Sequence, residues 1–423
     1  MSFISWLRSR TANRAARRRK QRRAEPPSFR PQLEALENRI VPSFSLPQNI
    51  PVNGLNQTVM AAADLTGNGK TDLVVGVGDG GVVVLMPGKK AGTFKAPVGL
   101  GSTNYEVSSI AVGDINNDGK PDIVVGEDTE PGALGEHVGA ISVLLGNGKG
   151  GFGLPVNFYA GAPAKYMALA DLNGDGLLDI VTDNGVLLNS NSQIALMNQG
   201  PSSVPRGWAC QNYNFGAING LALGDLNGDG RPDIVAMDDT YAIRVWLNNG
   251  AGGFTAGQVF GSGNFFNGEL GGNGVALGDV NGDGKLDVVK ANNTSNSVSV
   301  FAGNGDGTFN TTTVQTYAVG GAVYAVALGD FNKDGKLDIA TAGAQMNVLL
   351  NNGAGAFGTA QQVGPGGEGT TFGSFPTGSP LVVGDFSGDG FPDLAQIDAS
   401  GAALDVVFNN ADSQTTGHQG HKG

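Results

Sequence analysis

An all-β ring of seven blades, a β-propeller, is the fold class this sequence predicts, and three observations predict it. One stretch recurs seven times, beginning at Asp64, Asp114, Asp171, Asp225, Asp279, Asp330 and Asp385, at intervals of 50, 57, 54, 54, 51 and 55 residues. Repeats of about 40–50 residues, each holding four short strands, have the period of propeller blades. Each copy is bracketed by short apolar runs, such as GVALG and LDVV around the copy at Asp279, which read as strands. Glycine makes up 70 of the 423 residues, against a usual share of about 7%, and it falls in the turns between those runs. Length alone would suggest two or three domains. The repeat overrides that, because seven blades close into one unit.

The fullest copy, LGDVNGDGKLDVV at 277–289, sets out the chemistry. Counting Asp279 as position one, oxygen side chains stand at one, three, five and nine: Asp279, Asn281, Asp283 and Asp287. Alternate side chains of a tight loop converge, and Gly284 at six permits the sharp turn. Lys285 at seven would offer its main-chain carbonyl while its side chain points away. Hard oxygens gathered on a short loop are what Ca2+ requires, whereas Mg2+ wants a stricter octahedron with several waters. The same pattern supplies Asp114, Asn116, Asp118 and Asp122 in loop two, and Asp171, Asn173, Asp175 and Asp179 in loop three. It supplies Asp225, Asn227, Asp229 and Asp233 in loop four, and Asp330, Asn332, Asp334 and Asp338 in loop six. Loop seven has Asp385, Ser387, Asp389 and Asp393, a mild departure at position three. Loop one departs further, with Asp64, Asn68 and Asp72 as donors and Thr66 at three.

The helix–loop–helix calcium hand is excluded, since it needs a glutamate at position twelve. Here that position holds Val75, Val125, Thr182, Ala236, Lys290, Thr341 and Gln396. A Gly-Asn-Asp turn forms without metal, so a single copy would decide nothing. Seven copies with acidic oxygens at recurring positions predict up to seven bound Ca2+, with loops two to six nearest the full pattern.

Charge supports this. Residues 1–43 carry eleven Lys/Arg and three Glu, while the whole chain has a net charge of −12, so the remainder carries −20. The seven loops contain 20 carboxylates, which accounts for that remainder. Carboxylates at close quarters repel unless a cation intervenes. So acidic a body argues against nucleic-acid binding. The single cysteine, Cys210, rules out an intramolecular disulfide and reads as a small apolar filler. No apolar run approaches the ~20 residues of a membrane helix.

Along the chain each unit repeats one plan. Strand A ends in Gly-Asp or Ala-Asp, as in SIAVGD, YMALAD and LVVGD. The A–B loop follows, then strand B (DIVVG at 122–126), strand C (ISVLLGNG at 141–148), a glycine-rich turn ending in an aromatic (Phe152, Phe254, Phe309, Phe357), and strand D. Blade three departs, with its strand C expected to end at LMNQG and an insertion, PSSVPRGWACQNYNFG at 201–216, where Trp208, Tyr213 or Phe215 takes the aromatic place. The last unit lacks a strand D, and FSLPQNIPV at 44–52 reads as a strand D without a unit of its own. The N-terminal strand is therefore expected to complete the last blade, leaving no open edge. Three regions follow: a basic leader over 1–43, disordered or concerned with export; the propeller over 44–410; and a disordered tail over 411–423.

The repeated DxNxDGxxD loop followed by DIVV and a later NNGxGxF resembles the FG-GAP/VCBS repeats of bacterial surface proteins and the integrin α-subunit propeller, over residues 44–410. The resemblance implies a seven-bladed propeller with Ca2+ in the A–B loops and a role in adhesion or ligand binding. The integrin cysteines are absent, so an integrin-like partner is not implied. LEALENRIVPS at 33–43 is similar to a short leader motif of exported bacterial repeat proteins, which implies an extracellular or cell-surface location.

Other chemistries are weaker. The turn GNGKGG at 146–151 reads as a hairpin turn and not as a phosphate cradle, because no helix follows to present amide groups. Histidine is limited to His137, His418 and His421, and the only acid-rich cluster with one is GEDTEPGALGEHVG at 126–139, holding Glu127, Asp128, Glu130, Glu136 and His137. It reads as a solvated charged loop, or as a general acid/base pair or an extra metal site. Variable segments at 101–108, 126–139, 160–166, 182–192, 237–242, 260–272, 290–297, 315–322 and 362–379 fall on the rim opposite the acidic loops, several with aromatics (Tyr105, Phe265, Phe266, Phe375). Variable loops on a rigid scaffold are where binding usually sits. The expectation is a non-enzymatic, calcium-binding module for a protein or glycan ligand on that face. A polysaccharide-acting enzyme and a purely structural surface protein are the alternatives.

Overall fold

The computed structural model describes residues 41–410, except 53–56, 78–79, 103–105, 129–138, 160–163, 190–207, 212–214, 216–217, 251, 262–273, 354, 365–380 and 398–402. The chain divides into two units, Met1–Arg39 and Ile40–Gly423, and all described strands belong to the second. They form seven four-stranded antiparallel sheets, the blades of a propeller. Blade two shows the plan: strand A is Glu106–Gly113, B is Asp122–Asp128, C is Gly139–Leu144 and D is Val156–Tyr159. The sole helical element among the described residues is the three-residue 3-10 turn Asn293–Ser295. No described helix is long and apolar enough to cross a membrane.

Burial explains the composition of each strand. Strand B of blade five, Asp287–Asn292, is buried along nearly its whole length. A blade has another blade on each face, so strands B and C carry near-continuous apolar runs instead of alternating ones. Strands D lie outermost and read polar, as at Gln315–Ala318, which is mostly exposed. The core is therefore seven apolar layers, one in each seam between neighbouring blades. Between blades four and five, for example, Val235, Met237 and Ile243 meet Val275, Val288 and Phe301.

Close approach at the inner edge sets a second pattern. A β-carbon on Gly278, the last residue of strand A in blade five, would lie 2.6 Å from Leu328 Cδ1 and 2.7 Å from Leu337 Cδ1 of blade six. Glycine makes room for the neighbour's leucines. In blades one and three this position is Ala63 and Ala170, and the next blade then has proline, Pro121 or Pro232, where Leu337 stands in blade six.

Blade seven consists of Leu381–Gly384, Asp393–Ile397 and Ala403–Val407, and its fourth strand is Gln48–Pro51. Gln48 pairs with Val406 and Pro51 with Ala403. Ser45 N–H donates to Phe408 O at 2.8 Å, and Asn410 N–H to Ser43 O at 2.6 Å. Phe44 bridges to Asn409 as Phe152 does to Gly146 and Phe357 to Asn351. It thus takes the aromatic place of the C–D turns.

Two sequence expectations need correction. In blade three, strand C is Gly185–Asn189, followed by Trp208–Gln211 as strand D. QIALMNQG mimics the ending of a strand C, but the tight Asp183–Asn184–Gly185 turn already returns the chain, as Asn-Gly turns do. Trp208 and Cys210 lie on strand D, and Phe215 packs edge-on to Trp246 with ring centroids 4.9 Å apart. The variable segments are also shorter than the sequence suggests. Parts of 101–108, 182–192, 237–242, 290–297 and 315–322 are strand, because main-chain pairing continues past the point where side chains turn polar. Tyr105, Phe265, Phe266, Phe375, Tyr213, Glu130, Glu136 and the three histidines lie outside the described residues.

Candidate functional site

Antiparallel order sends all seven A–B loops and the C–D turns to one edge. The side chains of Lys120, Arg231 and Lys285 lie along the C–D turns of their own blades, 3.2, 2.7 and 3.0 Å from β-carbons built on Gly148, Gly250 and Gly305.

Each loop is wound by its own side-chain oxygens. In loop three, Asp171 Oδ1 accepts the N–H groups of Gly174 and Asp175 at 2.7 and 3.1 Å, and Oδ2 accepts that of Gly176 at 2.8 Å. Asn173 Oδ1 accepts Asp175 N–H at 2.9 Å, and Asp175 Oδ1 accepts Leu177 N–H at 2.9 Å. These are successive Asx turns, in which a short side chain stands in for a backbone acceptor. Loops four and five repeat the scheme on Asp225, Asn227 and Asp229 and on Asp279, Asn281 and Asp283. Loops two and six do so on Asp114, Asn116 and Asp118 and on Asp330, Asn332 and Asp334. In loop seven Ser387 Oγ takes the place of the asparagine, at 3.3 Å from Asp389 N, between Asp385 and Asp389. The glycine at position six has φ between +80° and +86° in all seven loops, a region other residues enter only with strain.

Position nine has a different role. Asp72, Asp122, Asp179, Asp233, Asp287, Asp338 and Asp393 are fully buried. Asp179 Oδ2 accepts Leu172 N–H at 2.8 Å, and its Oδ1 accepts Asn189 N–H at 2.6 Å from the end of strand C. Burial pushes these carboxyls up, and the position-five carboxylate pushes the same way in loops two to seven. Asp122 and Asp179 reach about 6, and Asp338 and Asp393 about 7. Asp233 and Asp287 are raised too.

The asparagine ending strand C is a site residue that the sequence reading misses, though LLN, WLNN, LLNN and VFNN announce it. Its side chain crosses to the preceding blade. Asn189 donates to Ile115 O at 2.9 Å, Asn248 to Leu172 O at 2.8 Å, Asn351 to Val280 O at 2.6 Å and Asn409 to Phe331 O at 2.7 Å. Each acceptor is the position-two carbonyl of the neighbouring loop. One residue thus holds its own position-nine aspartate and the preceding blade's loop together.

The lysines at position seven do not all point away, which corrects the sequence expectation. Lys120 pairs with Asp118 at 2.9 Å, Lys336 with Asp334 at 3.2 Å and Arg231 with Asp229 at 3.6 Å. The Lys120 ammonium holds Asp118 below the usual carboxylate range. A side chain two residues along a tight turn can fold back over it, and such exposed pairs contribute little to stability.

Among the described residues no group of three or more His, Cys, Asp or Glu side chains is gathered to hold a metal ion. The donor chemistry nonetheless suits a hard cation, being carboxylates, an amide oxygen and main-chain carbonyls. Each carboxylate oxygen has two lone pairs, so those engaged by N–H groups retain acceptor capacity.

Of the acid/base candidates, Glu127 and Asp128 lie on strand B, and Glu130, Glu136 and His137 lie outside the described residues. Glu127 is fully buried, with Ser142 as its hydrogen-bond partner. Strand alternation places it with Ile123 and Val125 in the seam against blade one.

Comparison with known proteins agrees with this architecture. The FG-GAP-like repeat profile matches residues 43–125, 225–290 and 279–341, and the FG-GAP repeat profile matches 107–144. No curated protein matches the sequence. Among solved structures, a lectin from Burkholderia pseudomallei is 16% identical with a TM-score of 0.53, covering 84% of this chain and 96% of that one. BBS1N, solved in complex with ARL6DN, is 14% identical with a TM-score of 0.51, covering 86% and 97%. A lectin from Agrocybe aegerita that recognises non-reducing terminal N-acetylglucosamine is 25% identical with a TM-score of 0.48, covering 73% and 80%. These likenesses concern the fold alone. The profile matches fall on the loop-and-strand repeat that the structure lays out seven times, and the chain belongs to the FG-GAP repeat family.

Proposed function

We propose that this propeller is a calcium-stapled, non-enzymatic binding or adhesion module that works outside the cell, with its N-terminal strand closing the ring. One observation carries the calcium reading. Seven buried position-nine aspartates sit in acidic loops, and their carboxyls are raised because burial and, in loops two to seven, the position-five carboxylate disfavour the charge. A divalent cation would supply the counter-charge for the buried position-nine carboxylate, which the position-seven Lys and Arg side chains, paired with position five, do not. In each of loops two to seven the side chains at one, three, five and nine would hold it; in loop one Asp64, Asn68 and Asp72 would. Repeated hard-oxygen loops of modest affinity suit the millimolar calcium found outside cells.

The binding reading rests on the division of labour between the rims. One rim is seven near-copies of a single loop, and the other carries connections that differ from blade to blade, where a protein or glycan ligand would sit. Glu127, one of the acids of the 126–139 cluster, is fully buried in a seam, which counts against it as a general acid or base. Elemental analysis of dialysed protein should find several Ca2+ per chain, and fewer than two would end the calcium reading. A glycan array run beside a polysaccharide turnover assay should give binding without turnover. Turnover would restore the enzyme reading.

A further inference from the structure

Asparagine followed by glycine is the dipeptide of a protein chain most open to deamidation. The main-chain nitrogen of the glycine loses its proton to solvent and attacks the carbonyl carbon of the asparagine side chain. A five-membered imide closes and ammonia leaves. Water then opens the imide to aspartate or to isoaspartate. A glycine N–H that is held in a hydrogen bond must first be released, so an acceptor on it protects the pair.

Eight such pairs stand in the described loops and turns of the edge that carries the acidic loops. In six of them a side-chain oxygen holds the glycine N–H. In the A–B loops the aspartate at position one does so. Gly69 N–H donates to Asp64 at 2.7 Å, Gly174 to Asp171 at 2.7 Å, Gly228 to Asp225 at 2.8 Å and Gly282 to Asp279 at 2.7 Å. In the C–D turns of blades four and six the asparagine that ends strand C does so. Gly250 N–H donates to Asn248 Oδ1 and Gly353 N–H to Asn351 Oδ1, both at 2.9 Å.

The matching turns of blades two and five have no such acceptor. Gly146 and Gly303 bridge to Phe152 and Phe309 as Asn351 bridges to Phe357, and so stand where the asparagine would. Neither place admits a side chain. A β-carbon on Gly146 would overlap the carbonyl oxygen of Pro121, and one on Gly303 that of Leu286. Among the described residues nothing accepts the N–H of Gly148 or of Gly305. Asn147 and Asn304, which precede them, are exposed. Asn147 Oδ1 also accepts the N–H groups of Lys149 and Gly151 at 2.8 and 3.1 Å, which draw electrons from the carbon under attack.

We propose that Asn147 and Asn304 are sites of spontaneous deamidation, a self-modification of the two C–D turns in which glycine replaces the asparagine ending strand C. Each event exchanges an amide for a carboxylate. It adds a negative charge where the side chain of Lys120 or Lys285 lies against the turn. The isoaspartate product also lengthens the main chain by one carbon inside a turn closed by the Gly146–Phe152 or Gly303–Phe309 bridge. The proposal is independent of the calcium reading, because the protein's own oxygens decide which N–H groups are held. In two further pairs the glycine is a strand residue, Gly185 or Gly220. Asn53, Asn267 and Asn273, also followed by glycine, lie outside the described residues and outside the ordering.

Ageing of the full chain in mildly alkaline buffer with EDTA, followed by peptide mapping and mass spectrometry, tests it. Asn147 and Asn304 should convert at least about fivefold faster than Asn249 and Asn352, fivefold being the ~1 kcal/mol that releasing one hydrogen bond costs. Asn68, Asn173, Asn227 and Asn281, whose neighbouring N–H groups are held by carboxylates, should be slower still. Asn248→Ala removes the acceptor of Gly250 and should bring Asn249 to the rate of Asn147 while leaving Asn352 unchanged. Asn351→Ala should do the reverse. A rise at every site together would report unfolding of the variant, and the ordering in the unsubstituted chain then decides. Equal rates at the four turn asparagines of that chain, or faster conversion at Asn249 or Asn352, would overturn the proposal.

Discussion

Loop one and loop five have the same backbone and different chemistry. In loop five Asp283 Oδ1 accepts Lys285 N–H at 3.0 Å, and in loop one the amide oxygen of Asn68 accepts Lys70 N–H at 2.8 Å. Asp279 and Asp64 collect the N–H of the position-six glycine alike, at 2.8 and 2.7 Å. The turn therefore needs an oxygen at position five and does not need a charge there. The carboxylate that loops two to seven carry at that place is surplus to folding the turn, which is why the cation reading is attached to it. Loop one differs again at position nine. Elsewhere a main-chain N–H from the end of strand C reaches the aspartate, but blade one has Pro87 at that place, which has none, and Asp72 Oδ1 is left without a partner.

The largest effect expected is from calcium itself. Each occupied site adds ~2.7 kcal/mol at a hundredfold excess over Kd, so several together rival the ~5–15 kcal/mol margin of a whole domain. Melting in EDTA should fall far below melting in millimolar Ca2+. The comparison sharpens with Asp283→Asn, which turns loop five towards loop one. It should cost about 2–3 kcal/mol with calcium and almost nothing without it. Equal melting curves in the two buffers would mean that all seven loops are merely turns.

Next in size is Glu127, in the seam that blade one shares with blade two. Burial pushes its carboxyl up to about 7 from an ordinary 4.5, against the pull of the Ser142 hydroxyl. The groups facing it are Ser142, Asn157 beyond it, and apolar residues of blades one and two. A folded-state value above the unfolded one means that the stability is present below about pH 4.5 and is lost as pH rises to about 7. Glu127→Gln should therefore raise stability at pH 8 by on the order of 2 kcal/mol and leave it nearly unchanged at pH 4, as read by urea unfolding at the two pH values.

Backbone strain comes third. Gly284→Ala and Gly69→Ala, at φ of +82° and +80°, should each cost about 1–2 kcal/mol, and by the same amount in EDTA. A larger cost in loop five than in loop one without calcium would break the claim that the two turns are alike. Smallest is Pro87→Ala, which restores an N–H opposite Asp72. It should gain about 1 kcal/mol from the new hydrogen bond, less the few tenths that proline contributes by stiffening the unfolded chain. Chemical denaturation without calcium reads the difference, and a net loss would show that Asp72 Oδ1 is not the vacancy it resembles.

The sequence made the repeat legible because everything in it is local. Strand, Asx turn and strand lie within a dozen residues, so spacing alone places Asp171, Asn173 and Asp175 on one turn and predicts blades from the period. Blade three misleads for the same reason. QIALMNQG looks locally like the end of a strand C, and only pairing with Asp179–Thr182 shows that Gly185–Asn189 has that role. The pairing of Lys120 with Asp118 is equally open to a local reading, and the assumed outward geometry hides it.

By itself the sequence determined the all-β class, the number of blades, the acidic loops on one edge and the aromatic turn beside them, since these follow from interactions between residues close along the chain. The tertiary structure decided which loops are tied to which. Asn248 reaches Leu172 O across 76 residues and Asn409 reaches Phe331 O across 78, and no period announces whether such a place holds asparagine, glycine or proline to any effect. It also decided that Glu127 faces a closed seam and that Asp72 lacks a donor. The physical reason is the same in each case. A hydrogen bond or a desolvated charge depends on what stands opposite, and in a ring of blades what stands opposite comes from the next repeat.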